Sequence, residues 1–440
     1  MPARSMASPA AWRMPARSFA STSAARLPPK PNSLAAMYAK KKGTAGGDDA
    51  AASGGGSALA EMTLPRPDLR DLAVLHPETV SKAAIGSPRA YPEDALQALK
   101  ALSLPQSIQK LHALTPRPAS VVRETTVQFA RVLDRARDGA SRGARYMLAG
   151  KEGSGKTALL VQAASYAHSN GWIVLYIPSA TSLIDSSSPF TYSADRALFE
   201  QPNLAADFLQ RFSAANKAAF KALKTAKAHK VGEREIASGK SLEELAKTGG
   251  GDEKLTTAVF EAIMEELSQQ TKRPVLLAID HAQSLFAETG YTDPSYQRLH
   301  PYHLVIPRML LDYAAGQRSF ASGAVVLAPS SRYLASSPPL KDFLAAGNEE
   351  NTLSDPLPSV YDRAGVAEYS TYAQVLSSGI ETFPLPARLS RKEAIGVVDL
   401  VKGWRGMREA VDDASFLERL VATDGNPRLF MRSLTKNVAL

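Results

Sequence analysis

Residues 150–157 read Gly-Lys-Glu-Gly-Ser-Gly-Lys-Thr, which fits G-x-x-x-x-G-K-[ST], the phosphate-binding loop. The spacing has a physical basis. Gly150, Gly153 and Gly155 let the backbone bend so that successive N–H groups point into one concave nest. Lys156 brings a cation to the outer phosphates, and Thr157 offers a hydroxyl to Mg²⁺. A helix starting here turns its positive dipole end to the same anion. The flanks agree: the strand-like run Tyr146-Met147-Leu148-Ala149 precedes the loop, and the helical pattern from Ala158 to Ala164 follows it. A glycine-rich turn with an incidental lysine needs no such order.

A parallel-sheet domain built on this loop needs a second buried strand that ends in an acid for the magnesium. Residues 275–280, Val-Leu-Leu-Ala-Ile-Asp, supply it. Their apolar side chains do not alternate with polar ones, so both faces of the strand should be covered. Asp280 stands at the strand's carboxyl end, the edge where such sheets bind ligands. In most hydrolysing relatives of this class the next residue is an acid that polarises water; here it is His281. The expectation is slow or absent hydrolysis, with His281 and Glu288 the weak candidates for a displaced base.

Two later segments extend the pattern. Ala324-Val325-Val326-Leu327-Ala328 reads as another buried strand, and it runs into Pro329-Ser330-Ser331-Arg332, where related ATPases place a polar sensor of the outer phosphate. Gly425-Asn426-Pro427-Arg428 resembles the second sensor of AAA-type and STAND-type NTPases, whose arginine reaches back to the phosphates from a helical lid. The alternative for Arg428 is a solvated surface arginine. The segment before it fits a lid, with Ser390 as N-cap and Glu393 at the capping-box position. No N-K-x-D sequence follows the acid-ending strand, so this route leaves guanine and adenine both open.

The chain of 440 residues is long enough for one large domain with a lid. It has no cysteine, which excludes disulfides and thiolate metal sites. Its seven histidines show no metal-ligand spacing. No apolar run reaches the ~18 residues of a membrane span. The net charge is +9, yet residues 1–47 carry eight Lys or Arg and no acid, so the arm accounts for all but one of those charges. An arm rich in Arg, Ser and Ala and free of acids has the composition of a mitochondrial presequence. Arg17-Ser18-Phe19-Ala20-Ser21 resembles a matrix-protease site, and the alternative for the arm is a disordered basic tail.

Read along its length, the sequence divides into a presequence at 1–20, a flexible basic and Gly-rich linker at 21–60, an extended Pro-rich wrapping segment at 61–120, a nucleotide-binding domain at 121–380 and a helical lid at 381–440. Helices are expected near 93–102, 121–138, 203 onward and 254–269. Lys217, Lys221, Lys224, Lys227 and Lys230 are spaced to line one flank of a continuing helix. That flank suits a solvated face or a contact with RNA or protein; Lys40-Lys41-Lys42 in the arm suits phosphate backbone.

Taken together, these residues resemble one family, the mitochondrial small-subunit ribosomal proteins of the death-associated protein three type. The resemblance covers roughly 120–440. It rests on Tyr146 to Thr157, on Asn170 to Pro178 with its strand ending in Ile-Pro, on the Phe199-Glu200-Gln201-Pro202 signature, on Leu276 to Leu285, and on the Asn-Pro near the C-terminus. It implies an α/β fold: an AAA-like P-loop NTPase with a parallel sheet flanked by helices, a C-terminal helical lid and an extended N-terminal arm. It also implies a component of the mitochondrial ribosome in the matrix, in contact with small-subunit rRNA, neighbouring ribosomal proteins and the bridges to the large subunit. The bound cofactor would be GTP or GDP, with ATP the alternative, together with Mg²⁺. By position, Gly153, Ser154, Gly155, Lys156 and Thr157 would contact the nucleotide and Asp280 would lie near the metal. The rival expectation is an active mitochondrial NTPase of the AAA or STAND type, or an apoptosis-related signalling NTPase.

Overall fold

The structure, a computed structural model, describes residues 72–113, 117–231, 234–249, 253–346, 363–404 and 411–435, all within one unit, Thr63–Leu440. The sequence expectations for 1–20, for the linker at 21–60 and for Lys40-Lys41-Lys42 lie outside the described residues.

Five strands form the central sheet: β1 (Arg145–Ala149), β2 (Ile173–Ile177), β3 (Val275–Asp280), β4 (Gly323–Ala328) and β5 (Glu381–Pro384). They lie in the order β5-β1-β4-β3-β2, every pair parallel. Parallel neighbours require crossover connections. Helix α1 (Glu124–Ala136) leads into β1, and α2 (Lys156–Ser169) carries the chain from β1 to β2. Helices α3 (Pro202–Ala215) and α4 (Glu253–Gln269) lie between β2 and β3, and α5 (Val305–Ala315) lies between β3 and β4. Every residue of β2, β3 and β4 is buried, so both sheet faces are covered, as their unbroken apolar runs require. The resulting architecture is that of a P-loop NTPase, and its strand order places the carboxyl ends of β1, β4 and β3 side by side.

The lid consists of α6 (Arg391–Gly403), α7 (Asp413–Ala422) and α8 (Pro427–Leu434). It has its own apolar cluster, including Leu389, Val397, Leu400, Trp404, Phe416 and Phe430. Ser390 caps α6 as its sequence suggests: its side chain accepts from the Glu393 N–H, and Glu393 accepts from the Ser390 N–H at 2.9 Å. The segment ahead of α1 forms an antiparallel pair of short strands, Pro88–Ala90 with Ala119–Val121, around helices Glu93–Ala101 and Gln106–Ala113. Ala119 and Val121 belong to the lid's cluster, whereas Leu75, Leu99 and Leu102 belong to the main core. The segment therefore packs against both. A Cβ at Gly396 of α6 would run into the Gly86 carbonyl oxygen, so the two backbones touch.

Two sequence expectations are corrected. Glu381–Pro384, read as the beginning of the lid, is the edge strand β5, and the lid helices start only at Arg391. Its short length and terminal proline hide it, yet both are ordinary at a sheet edge. The lysine flank does not form either. The helix from Lys217 stops at Ala222; Lys224 then makes an isolated bridge with Ser241, and Lys230 lies on the strand His229–Val231. The buried Glu266 carboxylate accepts from the Ala226 and Lys227 N–H groups, which holds this stretch in a turn instead of a helix. Lys227 pairs with Glu265 at 2.6 Å.

Candidate nucleotide-binding site

The phosphate loop leaves the end of β1 and enters α2 at Lys156. Gly153 (φ +77°) and Gly155 (φ +99°) adopt left-handed backbone that other residues reach only with strain. Lys156 is buried. Its ammonium donates to the Gly150 carbonyl at 2.6 Å, the Lys151 carbonyl at 3.2 Å and the Ser331 hydroxyl at 2.7 Å. Burial pushes its pKa down to about 8, and the charges of Asp280 and Glu152 partly oppose that shift. Ser331 follows β4, so the polar residue expected at that strand end does reach the loop. Its neighbour Arg332 is exposed and lies over the Tyr333 ring.

Asp280 ends β3, buried. Desolvation raises its pKa; His281, the Thr157 hydroxyl and Lys156 each pull it back. Its Oδ1 accepts from the His281 N–H at 2.8 Å, and its Oδ2 has no hydrogen-bond partner among the described residues. His281 itself is left-handed (φ +53°), half-buried, with Nδ1 3.8 Å from Asp280 Oδ1. Glu288 is exposed and its nearest ion-pair partner is Arg298 at 3.9 Å; no described contact joins it to the loop.

The lid reaches the loop through Asn426 and Arg428. Asn426 Nδ2 donates to the Glu152 carbonyl at 2.8 Å, while its Oδ1 caps α8 by accepting from the Arg428 and Leu429 N–H groups. The Arg428 N–H donates to the Gly153 carbonyl at 3.2 Å, and its guanidinium pairs with the Glu152 carboxylate at 3.1 Å. Arg428 thus lies at the loop, engaged by an acid of the loop itself. Sequence reasoning missed Arg123. This residue precedes α1, and its Nη1 donates to the Ser154 carbonyl at 2.6 Å, with Nε 3.6 Å from the buried Glu393 carboxylate. Glu393 also accepts from the Glu124 N–H at 2.9 Å, so one lid carboxylate ties the start of α1 to the start of α6.

These residues fit a magnesium–nucleoside polyphosphate. Among the described residues, a buried lysine with no carboxylate in hydrogen-bond contact, an unpartnered buried carboxylate oxygen on Asp280, an adjacent threonine hydroxyl and an unpartnered Ser154 Oγ converge at one sheet edge. Lys156 and the loop N–H groups would hold the phosphates; Thr157 and Asp280 would hold the metal.

The comparisons with known proteins agree with this architecture. The sequence profile described as "Mitochondrial ribosomal death-associated protein 3" matches residues 120–433. The chain belongs to this family. The mitochondrial ribosomal death-associated protein 3 match includes every site residue from Arg123 to Arg428. Among the family's curated members, the chain is 24% identical over 359 residues to "Small ribosomal subunit protein mS29" of Neurospora crassa, covering 79% of this chain and 74% of that protein. It is 26% identical over 379 residues to the protein of the same name from Schizosaccharomyces pombe, covering 82% and 74%. The Mus musculus protein of that name matches at 25% over 191 residues, 42% of this chain and 48% of its own length.

Proposed function

We propose that this protein is a structural component of the small subunit of the mitochondrial ribosome, working in the matrix, and that it holds GTP or GDP with Mg²⁺ as part of its fold with little or no turnover. Family membership and the relatives' name support the ribosomal role. The observation that carries the nucleotide role is the buried Lys156, hydrogen-bonded to Ser331, together with the buried Asp280: a cation and an acid withdrawn from water at the mouth of one loop. The guanine base rests on the family resemblance, with adenine the alternative. Partners on this reading are the small-subunit rRNA, neighbouring ribosomal proteins and contacts at the bridges to the large subunit.

The chemistry favours retention over turnover. When bound, the metal neutralises phosphate charge. Lys156 contributes a cation that burial has already stripped of water, and the loop N–H groups donate to the anion. Among the described residues no carboxylate follows Asp280 to orient water: His281 occupies that position in a left-handed conformation, and the exposed Glu288 pairs with Arg298. The test is sedimentation of the tagged full-length protein from mitochondria. Co-migration with the small subunit, and poorer incorporation of Lys156→Ala, are expected. A normal particle assembled with Lys156→Ala and containing no nucleotide would overturn the structural role. Robust multiple turnover by the purified protein would favour an active or signalling NTPase.

A further inference from the structure

The lid does more than cover the loop, because its contacts fall on the loop's carbonyl oxygens. In a trans peptide the C=O and N–H of one plane point in opposite directions. The Glu152 carbonyl shares its plane with the Gly153 N–H, and the Ser154 carbonyl shares its plane with the Gly155 N–H. Asn426 Nδ2 holds the first of these carbonyls at 2.8 Å and Arg123 Nη1 holds the second at 2.6 Å. Between them, the Arg428 N–H holds the Gly153 carbonyl at 3.2 Å, and the Ser154 N–H turns back to the Lys151 carbonyl at 3.2 Å. Three consecutive carbonyls are therefore occupied from outside. Arg123 is coupled to the lid as well, through Glu393.

We infer that Asn426 and Arg123 are positioning residues for the phosphate nest: they fix the peptide planes at 152–153 and 154–155 so that the Gly153 and Gly155 N–H groups face the anion before it arrives. The inference rests on the nucleotide reading above and gives the lid a role that needs no contact with the nucleotide. It also explains why Gly153 must be glycine on the lid's side. A Cβ there would collide with Asn426 Oδ1 and crowd the Arg428 Cβ at 3.0 Å. A nest whose donors are oriented in advance avoids the ordering cost that a loose loop meets on binding.

The variant that separates positioning from folding is Asn426→Ser. Serine ranks with asparagine as an N-cap, so α8 keeps its start, but its side chain is too short to reach the Glu152 carbonyl. Two readouts are taken on the full chain. The first is amide hydrogen exchange in nucleotide-free protein over peptides spanning 153–160, which report the Ser154 N–H to Lys151 and Leu159 N–H to Gly155 bonds. The second is the affinity for a fluorescent GDP analogue with Mg²⁺. The expected result is faster exchange across 153–160, about tenfold weaker binding and an unchanged melting temperature. Arg123→Gln should accelerate exchange in the same peptides. Exchange and affinity equal to the unmodified protein in Asn426→Ser would overturn the inference. If the unmodified protein binds neither GDP nor GTP, the nucleotide reading falls separately, and loop exchange alone decides the positioning: faster exchange supports it and unchanged exchange overturns it.

Discussion

The Ser331 hydroxyl accepts from the Lys156 ammonium at 2.7 Å and donates its own proton to the Gly150 carbonyl at 2.6 Å. A residue from the end of β4 thereby braces a lysine at the start of α2 and the first glycine of the loop together. Ser331→Ala removes both bonds and leaves Lys156 its two loop carbonyls. The expected cost is about 1 kcal/mol, read as a small fall in melting temperature, with nucleotide affinity reduced less than in Lys156→Ala. A loss of binding as complete as that of Lys156→Ala would show that Ser331 acts on the phosphates directly.

Arg123 and Glu393 are both withdrawn from solvent, with side-chain exposures of 12% and 5%. Removing one partner of a buried pair leaves the other charge uncompensated, which costs about 3–5 kcal/mol. Arg123→Met should therefore be strongly destabilising in denaturant unfolding. Adding Glu393→Gln should recover part of the loss, because the amide oxygen still accepts a backbone N–H at the α1 or α6 start. Additive losses in the double-mutant cycle would show that the pair is not coupled.

His112 gives the fold an acid limit. Burial, with the Lys100 charge adding to it, lowers its pKa from 6.5 to about 4. An unfolded chain takes up this proton near 6.5 while the folded chain resists until about 4. The stabilisation is complete above pH 6.5 and is lost as pH falls from there toward 4. Melting temperature measured from pH 7 to pH 4 should fall more steeply for the unmodified protein than for His112→Gln. Parallel profiles would remove His112 from the account.

Purified protein should turn over GTP and ATP well below the enzyme median of about 10 s⁻¹. The instructive substitution is His281→Glu, which restores an acid after Asp280 but at a left-handed position. A modest gain in turnover is expected, limited by that backbone. Multiple turnover at enzyme-like rates by the unmodified protein, measured as phosphate release, would contradict the proposed retention.

The parts of this site that could be read from sequence are those in which chemistry demands a local pattern. The loop from Gly150 to Thr157, the apolar run into Asp280, and the Ser390–Glu393 box are each complete within a few residues, and each folds as its pattern requires. Pro329–Arg332 was legible as the place of a polar residue because it follows a buried strand, but which of its side chains reaches Lys156 was not. Arg123 was not: its partners Ser154 and Glu393 are remote in sequence, and an arginine ahead of a helix has no pattern of its own. Arg428 shows the opposite failure. Its motif placed it at the loop, but its pairing with Glu152 depends on an acid that the motif leaves unspecified. The lysines from 217 to 230 keep helical spacing although the helix ends at Ala222, because a tertiary contact from Glu266 outweighs local periodicity.

The backbone contact between Gly86 and Gly396 bears on the order in which the molecule is completed. The earliest described stretch of the chain backs α6, and the chain's last described helix, α8, grips the phosphate loop through Asn426. Two of the loop's braces, Asn426 and Arg428, follow Glu152 by 274 and 276 residues in the chain. Such long-range closures form late and slowly. A polypeptide arrested before Arg391 would carry a loop with the right sequence and neither lid brace, so the proposed capture of the anion should await the folding of α8.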